Sequence, residues 1–470
     1  MKRLSLLLLI APTLFADAPS CIAIHNARVI PVSGPAIPRA NIILRNGLIE
    51  AVGADVAVPA DAWVIEGDGL TVYPGLIDAL STFGIPDAAP VVTTGGGRGG
   101  GPNQPPQPAP ATPAPANPPA RGPEDRPYTT SWIRAADLVR PTDRRIESAR
   151  AEGFTTAVTF PARGIFAGQG AIVNMAGEKA GDMVVDDNAG QYVTFITSLG
   201  FGGGFPNSLM GVIAYVRQVY LDADHYRLAK QFYNAHARGT QRPEYDRALE
   251  GVLDSARVLL PATRRIDVDR LLRFADELHL KAVLYGLPEG YRSADLLKKA
   301  NAAALVSLRW PERARESDPE EIDTLNVLEL RDRAPSTPAI LAKNGVKFAL
   351  YSGGIDRRAD LIRSVKRALD AGLSADDALR AMTLSVAEIY GVADRLGSIE
   401  KGKIANLVVT KGDLFQDRTE VKYVFVDGVK FEPVEEPLPQ GARPDGTPGP
   451  TGDVPSGSVP PRSVLGRGNQ

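Results

Sequence analysis

The stretch that decides the fold is Val72-Tyr73-Pro74-Gly75-Leu76-Ile77-Asp78-Ala79-Leu80-Ser81-Thr82-Phe83-Gly84. It starts with a Pro-Gly pair and continues as an apolar run, which is typical of a buried strand in a parallel sheet. Successive side chains of a strand point to opposite faces, so Asp78, Leu80 and Thr82 share one face. In a barrel that face is the interior, and its residues determine which chemistry the strand supports.

Strand-like and helix-like segments alternate between residues 131 and 390, which indicates a parallel sheet covered by helices. Besides the opening strand, we expect buried strands at 154–160, 192–196, 257–260, 281–284, 304–308 and 346–350. Helical spacing of apolar residues predicts helices at 267–278, 293–300, 359–370 and 375–382. About seven strands come close to the eight of a (β/α)8 barrel, so the predicted fold class is α/β with a TIM-like barrel.

Short β-type runs also occupy both ends of the chain. Within 22–72 they include a hairpin signal at Asn46-Gly47, because both residues tolerate positive φ. A second set lies within 396–434. We therefore expect a small composite β-sandwich built from 22–72 and 396–434, with the barrel at 73–395 inserted between them.

Three segments resemble the amidohydrolase superfamily, in particular its exported, imidazolonepropionase-like branch. The opening strand is similar to the family pattern Pro-Gly-Leu-Ile-Asp-x-His-x-His. Residues 371–383 resemble the helix before the closing motif. The family's closing motif is matched by this chain's segment Leu396-Gly397-Ser398-Ile399-Glu400-Lys401-Gly402-Lys403-Ile404-Ala405-Asn406-Leu407-Val408-Val409, which resembles it. The resemblance implies the barrel, the composite domain and hydrolysis of carbon-nitrogen bonds other than peptide bonds.

Members of this family bind one or two divalent metals through four histidines and an aspartate, and the metal activates a water molecule. Here the corresponding positions hold residues that are poor ligands for such ions: Leu80, Thr82, Thr263, Tyr285 (or its neighbour Gly286) and Gly353. The resemblance therefore implies a barrel without its metal set. We expect no cofactor and an amidohydrolase-like protein that is not catalytic and acts by binding.

An active hydrolase with a rerouted metal site is the alternative. It would use Asp78, Asp356 and Asp360, an oxygen-rich set suited to Mg or Mn. Asp78, Asp356 and Glu289 are the acid or base candidates under that alternative, although for Asp78 we favour support of its turn by hydrogen bonding.

Two further side chains are candidates for substrate binding. Gln169 lies in the glycine-rich stretch 164–177, which fits either a loop at a cleft or a structural turn with a buried strand. Tyr285 ends a predicted barrel strand. The histidines His25, His225, His236 and His279 are expected to be surface or packing residues, since none falls at the end of a predicted barrel strand.

The N-terminal segment predicts that the protein is exported. Met1-Lys2-Arg3 and the apolar run at 4–11 resemble a secretory signal peptide in residues 1–18, too short to span a bilayer. The expected location is secreted or periplasmic, with lipid attachment at Cys21 as an open alternative.

Residues 87–127 and 435–470 are Pro/Gly-rich, and we predict a flexible insertion and a disordered tail.

The bulk composition restricts the partners. The chain has 470 residues and a formal charge of -2, so nothing indicates nucleic-acid binding. The expected partners are an active amidohydrolase relative or a second copy, with a small-molecule ligand of unknown identity.

Overall fold

The computed structural model describes residues 20–85, 125–195, 205–313, 320, 322–416 and 419–433. The expected signal peptide, residues 87–124 of the expected insertion and the expected tail lie outside the described residues. None of the described helices is both long and apolar enough to cross a membrane.

The described strands are β1 (Cys21–Val29), β2 (Ile37–Arg45), β3 (Leu48–Gly53), β4 (Trp63–Glu66), β5 (Thr71–Pro74), β6 (Leu76–Ser81), β7 (Phe154–Thr159), β8 (Phe166–Asn174), β9 (Val184–Val193), β10 (Val258–Ala262), β11 (Ala282–Gly286), β12 (Ala303–Ser307), β13 (Phe348–Tyr351), β14 (Leu407–Lys411), β15 (Glu420–Val426) and β16 (Val429–Phe431). The described α-helices are α1 (Ala135–Leu138), α2 (Arg145–Glu152), α3 (Ala180–Met183), α4 (Leu209–Ala235), α5 (Arg247–Leu253), α6 (Arg265–Glu277), α7 (Ala294–Lys299), α8 (Leu325–Arg333), α9 (Thr337–Lys343), α10 (Arg358–Asp370), α11 (Ala375–Ala381) and α12 (Leu384–Tyr390).

One sheet is built from both ends of the chain, as the sequence predicts. Its strand order is β16-β15-β14-β5-β1-β2-β3, and β4 also pairs with β1. The predicted hairpin turn is present between β2 and β3, where Asn46 and Gly47 have φ of 50° and 79°. Buried residues from both chain ends, such as Ile24 and Phe425, share its core, which ties the closing motif to the start of the chain.

The second sheet has eight strands in the order β6 to β13, and the mixed α/β barrel fold is confirmed. One strand differs from an ideal (β/α)8 barrel, since β8 runs antiparallel to both β7 and β9. A parallel crossover needs a dozen or more residues. The connection at 160–165 is too short for one, so the chain reverses at β8 and reverses again before β9.

The barrel is nearly closed because β13 lies next to β6. Ser352, which follows β13, donates hydrogen bonds from its backbone N–H and its hydroxyl to Asp78 of β6. Apolar side chains such as Leu259 and Leu305 fill the interior. A larger core lies between the sheet and the helices outside it.

Candidate functional site

The carboxyl ends of the parallel strands form the mouth of the barrel, where catalytic residues of such barrels lie. The five ligand positions inferred from the sequence all fall on or just after these strand ends. Their surroundings therefore decide whether the mouth fits a metal.

Asp78 lies in β6 and is completely buried. Its carboxylate accepts hydrogen bonds from the Ser352 hydroxyl at 2.5 Å, the Ser352 N–H at 3.1 Å and the Leu80 N–H at 3.4 Å. Burial raises the pKa of Asp78 to about 6, although the three hydrogen bonds oppose this rise. Asp78 thus holds two strands together, and its supporting role extends well beyond its own turn.

Leu80 and Thr82, the residues at the first two inferred ligand positions, both make structural contacts. Leu80 packs in the apolar interior and is 1% exposed. Thr82 is held by Arg145, which donates to its hydroxyl at 3.0 Å and to its carbonyl at 2.9 Å. Arg145 also binds Asp143 at 2.7 Å. A guanidinium beside the second position repels a cation there.

The third and fourth positions are Thr263 and Tyr285. Thr263 follows β10, and its carbonyl accepts a hydrogen bond from the Glu289 N–H at 3.3 Å. Tyr285 is buried, and its hydroxyl donates to the Val193 carbonyl at 3.0 Å. Burial raises the pKa of Tyr285 well above its ordinary value. The phenol therefore stays protonated, whereas a phenolate would be needed for a strong metal bond.

Aromatic rings pack around Tyr285 inside the barrel. The ring centroids of Phe160 and Tyr192 are 5.4 Å apart, and those of Tyr192 and Tyr285 are 5.2 Å apart. Tyr351, the last residue of β13, belongs to the same buried cluster. Burial also raises the pKa of Tyr192 to about 12. Neutral aromatic rings therefore pack around Tyr285, the fourth of the positions inferred from the sequence.

The fifth position is Gly353, at a φ of +64°. A Cβ atom there would come within 2.6 Å of the Ser307 Oγ and 3.2 Å of the Arg309 Cβ. Both the backbone conformation and the lack of space oppose an aspartate. This strand end is shaped for glycine.

The acidic residues that a rerouted metal site would use differ in exposure and in their partners. Asp78 is buried, while Asp356 is exposed on the loop before α10. Asp360 forms an ion pair with Arg363 at 2.8 Å. Glu289 is half-buried and accepts a hydrogen bond from the Arg265 N–H. Among the described residues, no group of three or more His, Cys, Asp or Glu side chains could hold a metal ion.

The four histidines lie away from the mouth, as expected. His25 is in β1 and contacts Glu66 at 3.2 Å. His225 and His236 lie on and at the end of α4, and His279 follows α6; all three are exposed.

Gln169 is located on the outer side of the barrel sheet. Its side-chain amide donates to the Gly251 carbonyl at 2.5 Å and to the Ser255 hydroxyl at 2.6 Å, both at α5 or just after it. It also lines an open cavity of about 480 Å³ that contains Trp132 and Arg247. Gln169 therefore fastens α5 to β8, and the structural reading of the 164–177 stretch fits these contacts better than a loop at the mouth.

Taken together, the residues at the mouth do not fit the divalent metal that the family pattern implies. The five positions offer an alkyl group, two hydroxyls, a protonated phenol and a glycine, and the neighbouring Arg145 is cationic. What the sequence did not reveal is the aromatic filling by Phe160, Tyr192 and Tyr351, whose only signal was an aromatic residue near three strand ends.

Comparisons with known proteins agree with the barrel and with the motifs. Residues 269–430 match the model of the amidohydrolase family. An amidohydrolase from Thermotoga maritima MSB8 is similar in structure, with 24% sequence identity, a TM-score of 0.68, and coverage of 87% of this chain and 100% of that chain. A prolidase complexed with N-methylphosphonate-L-proline is also similar, with 15% identity, a TM-score of 0.51, and coverage of 88% and 100%.

No protein of curated function matches the sequence. The likenesses to solved structures establish the fold, and the family match covers the C-terminal part of the barrel and the closing motif. From residue 269 to residue 430 the chain is similar to the amidohydrolase family, and its fold resembles that of the amidohydrolase from Thermotoga maritima MSB8.

Proposed function

We propose that this amidohydrolase-like protein is a non-catalytic member of its superfamily that acts by binding a partner protein. One observation carries the proposal: the residues that the sequence assigns to the five family ligand positions, Leu80, Thr82, Thr263, Tyr285 and Gly353, are each engaged in packing, hydrogen bonding or a tight turn. If only one metal ligand were replaced, a neighbouring side chain could bind the metal in its place. Replacement at all five removes the set.

The chemical consequence follows from how such metals work. A bound divalent ion lowers the pKa of its water from 15.7 to about 7 and so supplies hydroxide at neutral pH. Asp78 could act as a base instead, but its carboxylate is enclosed by Ser352 and the Leu80 N–H and is completely buried. A base must reach the proton that it removes, and Asp78 has no access to a substrate.

We further propose that the protein is exported, on the strength of the signal-like sequence at 1–18. Cys21 is the first residue of β1, and its side chain is 1% exposed. A lipid chain on Cys21 would have to leave from inside the sheet core. These contacts favour a free secreted or periplasmic form over an anchored one.

Hydrolysis assays test the proposal. The purified protein is incubated with Xaa-Pro dipeptides and N-acyl amides, with added Zn²⁺, Mn²⁺ or Mg²⁺, beside an active prolidase treated identically. The expected rate equals the background without protein under every metal condition. Turnover that disappears with a chelator and returns with a metal would refute the proposal in favour of the rerouted hydrolase.

A further inference from the structure

An open cavity of about 480 Å³ lies outside the barrel sheet and is lined by residues of β8, α4 and α5. None of the five inferred ligand positions lines it, so it is separate from the barrel mouth. Its volume lies within the range of small-molecule sites, roughly 300–1,000 Å³. Four bases line the cavity, and their partners decide which charge it offers: Arg134, Arg227, Lys230 and Arg247.

Three of the four bases already have an acidic partner. The pairs have nitrogen–oxygen distances between 2.5 Å and 2.6 Å: Arg134 with Asp187 and Asp254, Arg227 with Asp224, and Lys230 with Glu250. These pairs include both acids of the cavity wall, Glu250 and Asp254. Arg247 forms no ion pair with a described carboxylate. The cavity therefore offers one uncompensated positive charge.

Arg247 is held against an aromatic ring. The carbon of its guanidinium lies 4.0 Å from the centroid of the Trp132 ring. Stacking occupies the flat face of the guanidinium and leaves its N–H edge free. That edge binds a carboxylate through two parallel hydrogen bonds. A single uncompensated charge matches a monocarboxylate better than a doubly charged phosphate.

Gln169 adds a free hydrogen-bond acceptor to the cavity wall. Its side chain is 2% exposed, and its amide donates to the Gly251 carbonyl and the Ser255 hydroxyl. These bonds use both amide hydrogens. The Oε1 atom accepts no hydrogen bond from any described residue. A buried acceptor without a donor is unfavourable, and a ligand that carries an N–H beside its carboxylate would supply the donor.

We propose that this cavity binds a small monocarboxylate that also carries an N–H group and an apolar ring. The carboxylate binds the free edge of Arg247, and the N–H donates to the Gln169 Oε1. The ring packs against Tyr245 and Leu253 of the cavity wall, which are 77% and 37% exposed. This site goes beyond the proposed function and does not depend on it.

Isothermal titration calorimetry of the full chain with N-phenylglycine tests the proposal. This probe has the carboxylate, the N–H and a phenyl ring, and it contains no amide bond that a hydrolase could cleave. Phenoxyacetate is one matched control, because an ether oxygen replaces the N–H. N-phenylglycinamide is the other, because its carboxylate is replaced by a neutral amide. We expect about one N-phenylglycine to bind per chain, and each control to bind about tenfold more weakly.

Variants locate the binding to this cavity. R247A should weaken N-phenylglycine binding about tenfold, because the carboxylate loses its charged partner. R247K should weaken it less, because lysine keeps the charge but not the planar fork. R242A is the matched control, since Arg242 is also exposed and precedes α5 but does not line the cavity, and it should bind normally. Thermal unfolding confirms that each variant is folded.

Tryptophan fluorescence gives an independent readout of the position. The chain has three tryptophans, and Trp132 is the one that lines the cavity. N-phenylglycine should therefore change the fluorescence of the unmodified protein. W132F keeps a ring beside Arg247 and removes the indole, so the change should disappear while calorimetry still detects binding.

No saturable binding at about 10 mM N-phenylglycine would overturn the inference. Equal affinity for either control, or an affinity unaffected by R247A, would overturn it as well. A fluorescence change that persists in W132F would place the ligand elsewhere and contradict the proposal. None of these measurements involves hydrolysis or a partner protein, so a failure here is separate from a failure of the proposed function.

Discussion

The Ser352 hydroxyl donates a 2.5 Å hydrogen bond to the Asp78 carboxylate, and this bond joins the last barrel strand to the first. The two residues are 274 positions apart in the chain, and Asp78 is completely buried. In the family pattern this strand carries the first two metal ligands. Here its one carboxylate serves to close the barrel.

The raised pKa of Asp78 predicts a pH dependence of stability. Its folded pKa of about 6 lies above the ordinary value of 3.8, so the stabilising contribution is complete well below the unfolded pKa of 3.8 and is lost as the pH rises through 6. Relative to D78N, the free energy of unfolding should fall by about 2.4 kcal/mol between pH 4 and pH 7. Denaturant titrations at several pH values measure this, and parallel profiles for the two proteins would contradict it.

Removing the donor tests the same contact from the other side. S352A deletes the hydroxyl that favours the ionised form of Asp78, so the pKa of Asp78 should rise further. The pH range over which the unfolding free energy falls should then extend to higher pH. At pH 7 the unfolding free energy should drop by about 1.5–3 kcal/mol, as expected for a hydrogen bond to a charged group. An unchanged stability at pH 7 would show that Asp78 does not depend on this donor.

Gly353 should not tolerate a side chain. G353A combines a positive φ with a Cβ within 2.6 Å of the Ser307 Oγ. Gly69 is a matched control, because its φ is +74° but nothing lies within 4 Å of its added Cβ. We expect G353A to lower the unfolding free energy by about 1–3 kcal/mol more than G69A does. Equal losses would mean that the space at Gly353 is larger than the contacts indicate.

Arg145 should be a structural anchor at the second ligand position. It donates to Thr82, to the Ile85 carbonyl at 2.6 Å and to Asp143, which is nearly buried. R145A should lower the unfolding free energy by about 2 kcal/mol, because Asp143 loses its guanidinium partner and keeps only backbone donors. R144A, at the exposed neighbouring residue, should change it by less than about 0.5 kcal/mol. If R145A and R144A lowered the unfolding free energy by similar amounts, Arg145 would not be a structural anchor.

The sequence predicted those parts of the structure that depend on local pattern. Leu76 to Ser81 is a buried strand as its apolar run indicates, and the Asn46-Gly47 hairpin forms where both residues adopt positive φ. The sheet built from both chain ends follows the closing motif. Helices such as Arg358–Asp370 agree with the predicted range within a residue.

The parts that the sequence did not reveal depend on contacts between distant residues. A buried apolar strand has the same pattern in either direction, so nothing in Phe166–Asn174 showed that β8 runs antiparallel. Its glycines at 168 and 170 left a loop at a cleft open beside the buried strand that is present. The partner of Asp78 lies at Ser352, and no spacing rule connects the two. The outward position of Gln169 depends in the same way on Gly251 and Ser255.

The metal content of the full chain decides whether the barrel mouth binds an ion. It is measured after purification, and again after dialysis against excess Zn²⁺ and Mn²⁺ followed by metal-free buffer. Inductively coupled plasma mass spectrometry, with an active prolidase as the positive control, gives the number of ions per chain. We expect well under about one tenth of an equivalent of any transition metal per chain. About one equivalent retained per chain, and lost when Asp78 is replaced, would contradict it.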